Sequence, residues 1–217
     1  MATATSGVGA TTATVYVVDD DRDVRDSVAA LVKSKGLSAH VFASAEEFLA
    51  LKDIKQPGCV VMDVRMPGMS GLELQQQMVV MGHPLPVVMV TGFADVSMAV
   101  RAMRNGAVTF LQKPCSDSEL WQGIQLALEK DVSEFAQKRQ KSELEARFTT
   151  LTDDEVAVLR KLLAGHANKK IAADLDIGLR TVELRRSNIM KKMGASSLPE
   201  LVRSCILVGE LEPDDSN

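Results

Sequence analysis

Five polar residues follow short apolar runs at matching places along the chain. Asp19 and Asp20 follow residues 15–18, Asp63 follows 60–62, Thr91 follows 87–90, and Lys113 lies two places beyond 108–111. If these runs are parallel strands, their carboxyl ends share one rim of a sheet, where open α/β sheets bind ligands. Carboxylates gathered there repel unless a cation joins them, and hard oxygen ligands with room for water suit Mg²⁺. With the ion bound, one carboxylate can attack a phosphoryl group, a transfer that needs mainly positioning and charge stabilisation. Thr91 offers a hydroxyl and Lys113 an ammonium, both suited to phosphoryl oxygens. Each residue alone has an ordinary reading as a cap, a turn or a loop start. Their coincidence at successive run ends is what carries the chemistry.

The elements that must position them follow from hydrophobic periodicity. The β-branched runs at 15–18, 60–62, 87–90 and 108–111, with a weaker fifth at 40–42, read as strands buried on both faces of a parallel sheet. Between them Val24, Val28, Leu31 and Val32 recur at helical spacing, as do Val96, Ala99, Val100 and Met103. Gly36, Gly82 and Gly106 stand where three helices end. The alternation predicts a doubly wound, five-stranded parallel-sheet α/β domain over 14–128. Residues 118–147 are rich in Glu, Lys, Gln and Ala and contain no Pro, so the last helix is expected to run on as a helical linker over 129–148.

The segments VVDDD at 17–21, VVMDVRMPGMSG at 60–71, VTG at 90–92 and LQKP at 111–114 resemble the receiver domains of two-component systems. The resemblance implies that Asp63 is the phosphoacceptor and that Asp19, Asp20, Asp63 and the backbone carbonyl of Arg65 hold Mg²⁺. It also implies that Thr91 and Lys113 bind the phosphoryl group and that Phe110 is the switch aromatic. Cys115 stands where many members carry Phe, and reads as a small buried hydrophobe. A phosphatase with an aspartate nucleophile would carry a second Asp two residues on, where Arg65 stands instead.

From 149 to 209 the pattern is all helical. Thr152 and Glu155 form a capping box, followed by the apolar face of Val156, Leu159, Leu162 and Leu163. Helices are expected at 168–175, 179–193 and 198–208, the first two joined by a tight turn at 176–178. In the 179–193 helix Val182, Ile189 and Met193 share an apolar side, with Arg180, Leu184, Ser187 and Lys191 opposite. A helix with one core face and one polar, partly basic face suits a DNA major groove. Lys169, Lys170, Arg185, Arg186 and Lys192 are available for phosphates. Residues 163–202 resemble the LuxR-type helix-turn-helix of the NarL/FixJ response regulators. That likeness implies base-facing positions at Glu183, Leu184 and Ser187, places Thr181 in the DNA-binding surface, and puts Lys169, Arg185 and Arg186 near backbone contacts or at helix-packing positions. Asp154 departs from a frequent Arg, Gly178 from a capping Ser, and Arg185 from a common His.

The chain has 217 residues, 46% hydrophobic and 25% charged, enough for two domains with separate cores. Residues 1–128 carry a net charge of −3 and residues 149–209 one of +3, the sense expected of a cation site in front of a nucleic-acid surface. Cys59, Cys115 and Cys205 have no metal-site spacing. No apolar run approaches the ~18 residues that would span a membrane, and the opening MATATSGVGATTA lacks the pattern of a signal peptide. A cytoplasmic protein is expected, with a disordered leader at 1–13 and an acidic tail at 210–217. The reading is a phosphorylation-dependent transcriptional regulator rather than an enzyme acting on a free substrate. Its implied partners are a sensor histidine kinase, double-stranded DNA and, once phosphorylated, a second copy of itself. The alternative is a constitutive DNA-binding regulator with a non-phosphorylated receiver.

Overall fold

The computed structural model describes residues 13–209 except Pro84 and Ala94, so the leader expected at 1–13, apart from Ala13, and the acidic tail at 210–217 lie outside the described residues. The chain divides into two compact units, Met1–Phe135 and Ala136–Asn217. In the first, strands β1 (Thr14–Val18), β2 (Ser38–Phe42), β3 (Gly58–Asp63), β4 (Val87–Thr91) and β5 (Thr109–Gln112) form one sheet. All pairs are parallel, in the order β2-β1-β3-β4-β5. Helices α1 (Arg22–Ser34), α2 (Ala45–Leu49), α3 (Gly71–Val80), α4 (Val96–Arg104) and α5 (Asp117–Phe148) follow the strands in turn.

Successive strand side chains point to opposite faces, and this sorts the core into two layers. Tyr16, Val18, Val60, Met62 and Met89 pack with Phe48, Leu74, Met78 and Ala102. Val15, Val17, Val61, Val88 and Val90 pack with Val28, Val32, Leu120 and Ile124. Strands β1, β3 and β4 are buried along their whole length, as the apolar runs require. β2 and β5 are only partly buried, because they are the sheet's edges. The helical stripe at Val96, Val100 and Met103 does not face the sheet. These side chains are exposed, and α4 buries Ala102 instead.

Helix α5 is tied to the foot of β3 by a carboxylate that no sequence motif marks. Asp131 is fully buried; it accepts the Gly58 amide at 2.8 Å and the Gln56 side-chain amide at 2.7 Å. Removing a buried acceptor leaves its donors without water or partner. Asp131→Ala is therefore expected to destabilise the first unit by about 2–3 kcal/mol in a urea melt, and an unchanged midpoint would contradict the tie.

The second unit holds the end of α5 and helices α6 (Asp153–Leu163), α7 (Asn168–Asp174), α8 (Leu179–Met193) and α9 (Leu198–Val208). Val158, Leu159, Leu162, Ile171, Val182, Ile189, Met193, Leu201 and Cys205 form its core. The capping box at Thr152 and Glu155 is present. Between α7 and α8 the chain turns through Asp176, whose φ is 50°. Gly178 caps α8 without a side-chain hydrogen bond. Among the described residues, no helix is long and apolar enough to cross a membrane.

Candidate functional site

The strand order places β1 beside β3, so Asp19, just past β1, and Asp63, at the end of β3, meet where the winding reverses. One carboxylate oxygen each from Asp19, Asp20 and Asp63 lies within 4.8 Å of the others. Lys113 reaches in from the end of β5. Its Nζ donates to Asp19 Oδ2 at 2.7 Å and to Asp63 Oδ2 at 2.6 Å. The remaining oxygens accept backbone amides: Asp21 to Asp19 Oδ1 and Arg65 to Asp63 Oδ1, both at 2.9 Å. Asp19 and Asp63 are buried and Asp20 is exposed.

The charges shape one another. Burial pushes the Asp19 carboxyl above its ordinary range, and the Lys113 hydrogen bond only partly reverses this. Burial would lower Lys113, but its bonds to Asp19 and Asp63 win and raise it, so the ammonium stays charged. A donor set made wholly of carboxylate oxygens, with one exposed member open to water, fits a hard divalent cation.

Thr91 is fully buried, and its hydroxyl accepts the Phe93 amide at 3.3 Å. Its carbonyl accepts the Lys113 amide at 2.8 Å, which fixes the lysine's approach. Phe110 is partly buried against the α2–α4 layer of the core. The Arg65 guanidinium lies over the Phe93 ring, 4.7 Å from its centroid. Cys115 is half-buried and borders a cavity of about 380 Å³ that also reaches Asp19, Asp63 and Lys113.

Gly71 is the positioning residue whose role the sequence pattern conceals. A Cβ there would lie 2.0 Å from the Asp63 carbonyl oxygen. Only glycine lets the start of α3 approach the end of β3 this closely. The available signal is its place directly after Ser70, the residue that caps α3.

In the second unit, α8 exposes Arg180, Glu183, Leu184, Ser187 and Lys191, and Lys169 is exposed on α7. Thr181, Arg185 and Arg186 are half-buried. Arg186 donates to Asn168 Oδ1 at 3.1 Å, and Arg185 forms an ion pair with Asp154. Lys192 is not available for phosphates as expected. Its ammonium is 2.6 Å from the buried Glu155 carboxylate and also donates to the Thr150 carbonyl at 2.9 Å. Burial acts to raise the Glu155 carboxyl, but Lys192 and the Thr152 amide hold it below its ordinary 4.5. A depressed folded pKa contributes stability above the unfolded value that is lost as pH falls through the folded one. Acid melts of this unit are therefore expected to steepen below pH 4.5. In Glu155→Gln that dependence should flatten, and an identical acid profile would contradict the pairing.

The model of the response regulator receiver domain matches residues 15–125, and that of the bacterial regulatory proteins of the luxR family matches 149–205. The chain belongs to the response regulators. This regulator is 44% identical to the transcriptional regulatory protein FixJ of Azorhizobium caulinodans over 93% of its own length and 96% of that relative. It is 40% identical to the response regulator protein TodT of Pseudomonas putida, over 87% and 83% of the two chains. Among solved structures, the response regulator StyR aligns with a TM-score of 0.81 at 39% identity, covering 92% of the regulator and 100% of StyR. The regulator is of the NarL/FixJ type, and its function is phosphorylation-dependent regulation of transcription.

Proposed function

We propose that Asp63 accepts a phosphoryl group from the phosphohistidine of a sensor kinase and that this controls DNA binding through α8. An Asp63 carboxylate oxygen attacks phosphorus, the P–N bond breaks, and its electrons return to the kinase imidazole. Mg²⁺ held by Asp19, Asp20, Asp63 and the Arg65 carbonyl would supply charge neutralisation for the phosphoryl oxygens. Lys113 and Thr91 bind those oxygens, and Phe110 is the aromatic that follows Thr91 when the site is filled. The observation that carries this reading is the Lys113 ammonium bridging Asp19 and Asp63 at the strand-order reversal.

The proposed receiver spans 14–128, the helical linker 129–148 and the DNA-binding domain 149–209. The regulator works in the cytoplasm and turns over no free substrate. The exposed stripe of Val96, Val100 and Met103 on α4 is suited to pairing two phosphorylated copies, which multiplies DNA contacts through effective concentration. On α8, Glu183, Leu184 and Ser187 face bases, while Arg180, Thr181, Arg186 and Lys191, with Lys169 on α7, border the phosphates. Ser187→Ala combined with Arg186→Ala is expected to weaken duplex binding about tenfold or more with a thermal midpoint within a few degrees of wild type. Undiminished binding would remove α8 from the interface.

Intact mass spectrometry with a small phosphodonor, run beside gel filtration, tests the proposal. With Mg²⁺ a single phosphoryl group is added and the chain shifts toward a dimer; with a chelator neither occurs. No addition in the presence of Mg²⁺ would leave Asp63 a structural carboxylate.

A further inference from the structure

The Arg185–Asp154 pair joins two positions where this chain departs from the common helix-turn-helix pattern, and it lies on the flank of the proposed recognition helix. Arg185 sits on α8 between the exposed row of Leu184 and Ser187 and the buried row of Val182 and Ile189. That flank is where a helix lying in a groove passes the phosphate walls. Its side chain is 22% exposed, and its guanidinium is held by the carboxylate of Asp154, a residue in the first turn of α6 whose side chain is 68% exposed. Among the described residues, no carboxylate lies within ion-pair distance of Arg180, Lys169 or Lys191. Arg185 is thus the α8 arginine held by an internal anion.

A carboxylate presents the same oxygen pair to a guanidinium that a phosphate does. We propose that Asp154 is an intramolecular stand-in for a DNA phosphate: it occupies Arg185 in the free protein and so lowers the affinity and salt dependence of duplex binding. The inference rests on the DNA-binding reading of α8 and deepens it. Asp154 is exposed, so the pair is weak and screened, and a backbone phosphate can displace it. While the pair is intact, binding DNA must first break it. The pair therefore offsets part of what Arg185 would otherwise contribute to binding. Asp153 and Glu155 flank Asp154 but are placed differently. Glu155 is buried with Lys192, and Asp153 has no ion pair among the described residues. Neutralising Asp154 leaves the Glu155–Lys192 pair in place.

The test is a double-mutant cycle on the full chain, phosphorylated with a small phosphodonor and Mg²⁺. Wild type, Asp154→Asn, Arg185→Gln and the double variant are titrated onto a labelled mixed-sequence duplex over a salt series, and circular dichroism checks that each is folded. Asp154→Asn is expected to bind roughly threefold tighter or more at low salt, with the log–log salt slope steeper by about 1. Adding Arg185→Gln to Asp154→Asn should remove the whole gain, so that the double variant binds no more tightly than Arg185→Gln alone. An equal gain in the Arg185→Gln background would overturn the proposal, because Asp154 would then act only as a repulsive charge. Unchanged or weaker binding by folded Asp154→Asn would overturn it too, making the pair a tie that positions α8. If wild type itself does not bind the duplex, the DNA-binding reading fails and takes this inference with it. Binding by wild type with no gain in the variant refutes the stand-in alone.

Discussion

Asp63→Ala is expected to reduce phosphoryl incorporation from stoichiometric to undetectable while leaving the receiver folded. The two neighbouring carboxylates cannot take over. Asp19 has its side chain 5% exposed against 11% for Asp63, so it is the less open of the two to an incoming donor. Asp20 is exposed and lacks the lysine that would neutralise an incoming phosphoryl group. Asp63 has one oxygen beside Lys113 and the other fixed by the Arg65 amide, with its side chain 11% exposed at the strand end. Fixed geometry and a matched cation are what phosphoryl transfer requires. Losing the Asp63 side chain leaves Lys113 paired with Asp19, so no buried charge is orphaned and the fold survives. Intact mass spectrometry and near-UV circular dichroism together check both halves. Undiminished incorporation by the variant would place the acceptor elsewhere.

Gly71→Ala is expected to cost about 3 kcal/mol or more and to slow phosphorylation as well. The added methyl would meet the Asp63 carbonyl oxygen at 2.0 Å and the Val64 Cα at 3.2 Å. Both are backbone atoms, so no rotamer change relieves the clash. Either α3 lifts, losing the Gly71 amide bond to the Val64 carbonyl at 3.0 Å, or the end of β3 shifts and carries Asp63 away from Lys113. Gly92→Ala is the control: its Cβ meets nothing within 4 Å, and its stability should stay within about 0.5 kcal/mol of wild type. Urea melts and phosphorylation time courses on both variants decide the matter. A Gly71→Ala protein as stable and as fast as wild type would contradict the close approach.

The parts legible in the sequence are those that local pattern dictates. β-branched runs gave β1, β3 and β4 to within two residues at either end, and the repeated order of run, helix and run implied that Asp19, Asp63 and Lys113 converge. Thr152 and Glu155 marked the start of α6, because a capping box is a four-residue signal. What stayed hidden depends on which side chains from distant elements meet. The periodicity at Val96, Val100 and Met103 identified a helix but not that this stripe faces outward. Lys192 looked like one more basic residue until α6 brought Glu155 beneath it. Asp154 and Arg185 read as two separate departures from a pattern, and only the packing of α6 on α8 shows them to be partners. Asp131 is one acid among several in a polar helix, and its burial against Gly58 follows from where α5 crosses β3.

The central claim is that the chemical state of Asp63 sets the affinity of α8 for DNA. Fluorescence anisotropy titration of a duplex, on protein whose phosphorylation is verified by mass before each titration, tests it most directly. Phosphorylated wild type should bind more tightly than unphosphorylated wild type, while Asp63→Ala treated with the same phosphodonor should match the unphosphorylated protein. Equal affinity of fully phosphorylated and unphosphorylated wild type would contradict the account.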